Sequence, residues 1–108
     1  MGLFRRRFSD LVDRQLDLFA RDHHDEIRAI AAALDEHRGS TSDDAQETFG
    51  DYQDRVDWAA QDLLELRDTY ARTLDPATAE AYEKAFARGV RKRFPALAAA
   101  VRSGDVGD

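Results

Sequence analysis

The amino-acid sequence predicts an all-α protein, a three-helix bundle built on a long antiparallel hairpin. Three observations carry this: apolar residues recur at helical spacing along three stretches, turn chemistry separates the stretches, and no stretch alternates as a strand would. In the first stretch, about 3–38, the stripe runs Phe4, Phe8, Val12, Leu16, Phe19, His23, Ile27, Ile30 and Leu34, with Leu11 and Ala20 widening it. The steps of three and four match the 3.6-residue turn. "HRGS" ends it, with Gly39 suited to a left-handed C-terminal position. Its start is open: helix from Leu3, or a Ser9 cap that leaves "GLFRRRF" as a free arm.

The second stretch, about 42–74, opens on "STSDDAQE", where hydroxyls can cap and acids complement the positive helix end. Ala45, Phe49, Tyr52, Val56, Ala59, Leu63, Leu66 and Tyr70 alternate steps of four and three, a 3.5-residue repeat that implies coiled-coil packing. Gly50 weakens this helix by about 1 kcal/mol relative to alanine.

In "LDPATAEAYEKAF", Asp75 can cap and Pro76 fits the first helical position, so a third helix starts there. It is shorter, about 76–94, with Tyr82, Phe86, Val90 and Phe94 on its stripe and Leu97 and Val101 beyond. Pro95 must kink or break it, because the ring clashes with the carbonyl of Arg91. At 1.5 Å per residue the first two helices run roughly 50 Å and the third only about 28 Å up to the proline. The far part of the hairpin must therefore be covered by the segment after Pro95, by another copy or by a partner.

At 108 residues the chain reads as a single helical domain, 1–102, followed by a flexible acidic tail, 103–108. With 43% hydrophobic and 35% charged residues it is too apolar for a disordered chain and too charged for a membrane-embedded one. It has no cysteine, which excludes disulfides, thiolate metal sites and thiol nucleophiles. No secretory signal follows the basic start, and the expected location is cytoplasmic.

The net charge of −6 hides a segregation: residues 1–8 hold three arginines and no acid, 9–83 sum to −13, and 84–102 hold six basic residues and no acid. Such separation favours pairing of unlike surfaces within or between molecules. The basic patch comprises Arg5, Arg6, Arg7, Lys84, Arg88, Arg91 and Lys92. The last four share a side of helix three and could meet phosphates, although the chain has no recognised nucleic-acid motif. Residues 2–8 could lie on an anionic membrane surface, with Asp10, Asp13 and Asp17 opposing deeper attachment.

"ARDHHDEI" raises the question of metal or proton chemistry. Helical rise sets His23, His24 and Trp58 near one level, a conceivable metal or small-ligand site. Adjacent residues on a helix point about 100° apart, so the two histidines cannot readily share an ion. The Glu-x-x-His pair of carboxylate-bridged di-iron bundles is absent from the sequence. The expected arrangement is a packed His23 and a solvated His24, with no resident cofactor. No nucleophile elbow, phosphate loop or calcium loop occurs.

The reading is a non-enzymatic helical interaction or accessory protein that self-associates or docks on a larger protein. The surface expected to do so comprises Ile27, Ile30, Leu34, Phe49 and Tyr52. The alternatives are the metal or small-ligand protein, and a peripheral membrane or nucleic-acid binder acting through the basic segments.

Overall fold

A computed structural model describes the backbone of residues 7–106 and the side chains of 7–102. Among the described residues five helices follow one another: α1 (Ser9–Asp22), α2 (His24–Arg38), α3 (Ala45–Ala71), α4 (Pro76–Arg93) and α5 (Pro95–Val106). The described residues contain no strand. The molecule is elongated, about 50 × 28 × 24 Å.

The long first helix expected from the stripe is divided at His23, whose φ of −112° and ψ of 26° leave the helical region. The backbone ladder nevertheless continues across the break: His23 N–H donates to Phe19 O at 2.8 Å, and Ile27 N–H donates to His23 O at 2.9 Å. The two halves have different neighbours. α1 packs chiefly on α4, whereas α2 lies along α3. Burying both halves of one stripe against diverging partners requires a bend, and His23 is where it falls. Neither glycine nor proline marks the site, so period alone does not reveal it.

Three expectations about helix ends are also corrected. Gly39 has φ −91° and ψ 0°, not a left-handed conformation, and its N–H bonds back to Asp35 O at 3.1 Å. Helix α3 begins at Ala45 with no side-chain cap: Asp44 in the cap position has φ −97° and ψ −8°, not an extended conformation, and Ser40 Oγ donates back to His37 O at 2.6 Å. Thr48 Oγ1 lies 2.9 Å from His37 Nδ1 and so ties the end of α2 to the start of α3. Helix α1 begins at Ser9 itself, with Phe8 in the cap position, so Ser9 caps nothing. Phe4 and the rest of residues 1–6, where the sequence predicts either a helix from Leu3 or a free arm, lie outside the described residues.

The third start conforms to the sequence. Asp75 is extended, its carboxylate accepts from Thr78 N–H at 3.4 Å, and Pro76 opens α4. The Thr78 side chain's hydrogen bond, with this backbone bond as a smaller contribution, holds the Asp75 carboxyl below the usual carboxylate range. At the other end Phe94 leaves the helix, and Pro95 opens α5. α5 then doubles back beside α4, so that Ala98, Val101 and Arg102 border the same crevice as Ala87, Val90 and Arg91. It also packs on α3. Its backbone runs through Val106, four residues into the segment set apart as a tail.

The core lies where α1, α3, α4 and α5 converge. Leu16, Leu63, Tyr82 and Phe86 are each 0% exposed, and Phe8, Val12, Phe19, Val56, Val90, Leu97 and Val101 surround them. Each large apolar side chain so enclosed contributes roughly 1.5–3 kcal/mol over an exposed one. The α1–α4 approach depends on Gly89, where an added Cβ would stand 2.7 Å from Val12 Cγ1 and 2.9 Å from Leu16 Cδ1. Gly50 has nothing comparable within 4 Å and supports no close approach.

Among the described residues, no buried side-chain nitrogen or oxygen lacks a hydrogen-bond partner. The Tyr82 hydroxyl donates to Gln15 Oε1 at 2.9 Å, and burial pushes its pKa up to about 12. Arg67, 7% exposed, donates to Asp68 Oδ1 from Nε at 2.9 Å. Arg93 clamps the end of α4 to α1 by donating to Asp13 O at 2.9 Å and pairing with Asp17.

Candidate functional site

Two places outside the core combine exposure with organised chemistry: a cleft beside His23 and an apolar groove at the α4–α5 corner.

The cleft begins with the His23 ring, which stacks on Phe19 with centroids 4.2 Å apart and planes 18° apart. His23 Nδ1 lies 3.2 Å from Phe19 O, the carbonyl one turn earlier. A carbonyl can only accept, so Nδ1 carries the hydrogen. His23 Nε2 points across to α3 and lies 3.1 Å from Asp62 Oδ2. Glu26, one turn beyond His23 on α2, completes a trio whose ligand-capable atoms all lie within 4.8 Å of one another. Beside it a cleft of about 270 Å³ is lined by Glu26, Arg55, Trp58, Gln61 and Asp62.

The sequence-level pairing of His23 with His24 and Trp58 is thus rearranged. His24 turns outward, its side chain 64% exposed, and lies 3.5 Å from Asp25. Trp58 is 61% exposed and forms a wall of the cleft. Glu26 and Asp62 replace them; sequence reasoning passed over Glu26 and read Asp62 as one acid of a solvated face on the second stretch. The His23-x-x-Glu26 spacing, one helical turn, was the visible signal for Glu26. Asp62 had no local signal because it arrives from another helix.

The groove is lined by Ile27, Ile30, Ala31 and Leu34 of α2 and by Arg93, Phe94, Pro95, Ala96 and Leu97 of the corner, and encloses about 230 Å³. Of the five residues expected at an interaction surface, Ile30 is 6% exposed and forms part of the core. Ile27, Leu34 and Tyr52 are half-buried, and Phe49 is 50% exposed. Phe49 stands beside His37 and Tyr52, with ring centroids 5.6 and 6.4 Å away. Three of the five therefore border the groove, while Phe49 and Tyr52 lie farther out on the α2–α3 arm.

The basic tract divides between two faces. Arg88 and Lys92 open onto the crevice with α1, next to Ser9 and Asp13. Arg91 opens onto the crevice with α5, next to Arg102. Lys84 pairs with Glu80 one turn away at 3.3 Å. Arg7 is exposed, its guanidinium 5.4 Å from the Phe8 ring, and Arg5 and Arg6 lie outside the described residues. No helix among the described residues is long and apolar enough to cross a membrane. No protein-family model, curated protein or solved structure matches the chain.

Proposed function

We propose that the chain is a non-enzymatic helical interaction protein whose docking surface is the α2–α3 arm together with the groove at the α4–α5 corner. The observation that carries this reading is the direction of α5. Having passed Pro95, the chain turns back along α4 and does not climb the arm. The arm is left as a two-helix hairpin with Phe49 half exposed and an apolar groove at its root. Apolar surface of this kind gains free energy when another protein excludes water from it.

A second copy of the chain is the first occupant to test. Acidic side chains crowd the exposed positions of α3, among them Asp51, Asp54 and Asp57, while α4 and α5 expose Arg88, Arg91, Lys92 and Arg102. Two copies can therefore oppose unlike surfaces around an apolar centre. A larger protein presenting an acidic amphipathic helix suits the same groove. Light scattering tests the first choice: self-association gives a multiple of the 12.2 kDa chain mass. The double variant Phe49→Ser, Tyr52→Ser should then lower that mass while helicity by circular dichroism is retained. A chain that is monomeric at every concentration would exclude self-association and leave the larger partner.

A further inference from the structure

We propose that His23, Glu26 and Asp62 bind one divalent transition-metal ion between α2 and α3. The two ring contacts of His23 cannot both be satisfied by a neutral imidazole. His23 Nδ1 lies 3.2 Å from a backbone carbonyl, so it holds the ring hydrogen. In the neutral ring Nε2 then bears a lone pair, and that lone pair faces a carboxylate oxygen 3.1 Å away. Two acceptors at this separation repel unless a cation stands with them. The candidates are a proton on Nε2 or a metal ion between the ligands.

Three features favour the metal. The first is the second carboxylate: Glu26 brings a further oxygen within 4.8 Å of the other two atoms, and a proton on Nε2 needs only one acceptor. The second is the way the ring is held. A histidine that ligates a metal through one nitrogen usually donates the other N–H to a carbonyl or carboxylate, which fixes its tautomer and orientation. His23 has that bond to Phe19 O, and stacking on the Phe19 ring at 4.2 Å adds a second constraint. The third is spacing. Donors bound at about 2.1 Å to one ion stand roughly 3 to 3.5 Å apart, and the His23–Asp62 pair is already there.

One imidazole and two carboxylates form a mixed nitrogen–oxygen set. It suits manganese, iron(II), cobalt or zinc better than calcium or magnesium, which prefer oxygen alone. The trio faces an open cleft, so water or a small anionic ligand can take the remaining positions, with Arg55 on the same wall. Binding would also pin the α1–α2 break to α3, because His23 is the break residue.

The test uses the untagged 108-residue chain, stripped of metal by a chelator and titrated with Mn²⁺ and with Zn²⁺. Trp58, the single tryptophan of the chain, reports through its fluorescence, and calorimetry gives the stoichiometry. One ion per chain is expected, with nitrogen coupling from a single imidazole in the electron spin echo of the Mn²⁺ complex. Asp62→Asn and Glu26→Gln should each weaken binding roughly tenfold or more. His23→Gln should remove the nitrogen coupling, and His24→Gln should change nothing. Circular dichroism identifies any variant that has lost its fold. The proposal fails if neither ion binds stoichiometrically, since a proton then suffices to join His23 to Asp62. It fails equally if binding survives Asp62→Asn and Glu26→Gln unchanged, which would mark diffuse attraction to the acidic surface.

Discussion

The Tyr82 hydroxyl of α4 donates to the Gln15 side-chain oxygen Oε1 of α1 at 2.9 Å, and Tyr82 is 0% exposed. Its neighbours are aromatic on three sides: Phe8 at 5.6 Å, Tyr70 at 4.8 Å and Phe86 at 5.9 Å between centroids. Tyr82 thus joins an apolar ring cluster to one polar partner, and its ionisation is coupled to folding.

Burial is the leading cause that raises the Tyr82 pKa to about 12, from 10.0 for an ordinary tyrosine. The unfolded chain therefore loses this proton before the folded one does. Stability from this group is complete below pH 10 and declines as pH rises towards 12. Denaturant midpoints measured across that window should fall. Tyr82→Phe should flatten the decline at a cost of about 1 kcal/mol near neutral pH, because Gln15 is half-buried and can turn to water. An equally steep decline in the variant would assign the alkaline loss to other groups.

Gly89→Ala should destabilise the protein. The new methyl would press on Val12 Cγ1 and Leu16 Cδ1 from below 3 Å, and both side chains are enclosed in the core. Overpacking of this kind costs about 1–3 kcal/mol, which exceeds the roughly 1 kcal/mol that alanine gains in helix propensity. Thermal unfolding monitored at 222 nm would show a lower midpoint.

Gly50→Ala should act in the opposite direction. The position is inside α3, exposed, and a methyl there meets nothing within 4 Å. Propensity then acts alone and should stabilise α3 by about 1 kcal/mol. A destabilised Gly50→Ala protein would show that the arm is packed against something in solution, which bears directly on the docking proposal.

Arg93→Ala should loosen the junction of α4 with α1. Its guanidinium donates to the Asp13 carbonyl at 2.9 Å and pairs with Asp17, and its side chain is 29% exposed. Since Asp17 is largely solvated, the loss should be about 1 kcal/mol and should shrink as salt is raised. Salt-independent loss would point to the stacked contact with Phe94, 5.8 Å from the guanidinium, as the stronger element.

The helices themselves were legible from residue spacing, because a helix is built from interactions four residues apart. The buried positions of α1, Phe8, Val12, Leu16 and Phe19, fall on the stripe as written. So do Val56, Ala59 and Leu63 in α3, and Tyr82, Phe86 and Val90 in α4. In α3 the repeat also missed Ala60, Arg67 and Ala71, which are buried in a bundle where α3 packs on α5 and α4 as well as on α2. Gly39 misled because glycine permits a left-handed turn without requiring one.

Local chemistry alone determined the start at Asp75 and Pro76, the stop before Pro95 and the periods between them, since each depends only on bonds within a turn of chain. Tertiary structure decided the rest. The path after Pro95 was chosen by where Leu97 and Val101 could be buried, and that burial surface comes from α3 and α4. The bend at His23 and the meeting of its imidazole with Asp62, thirty-nine residues away, follow from the same competition for neighbours, which no short-range rule contains.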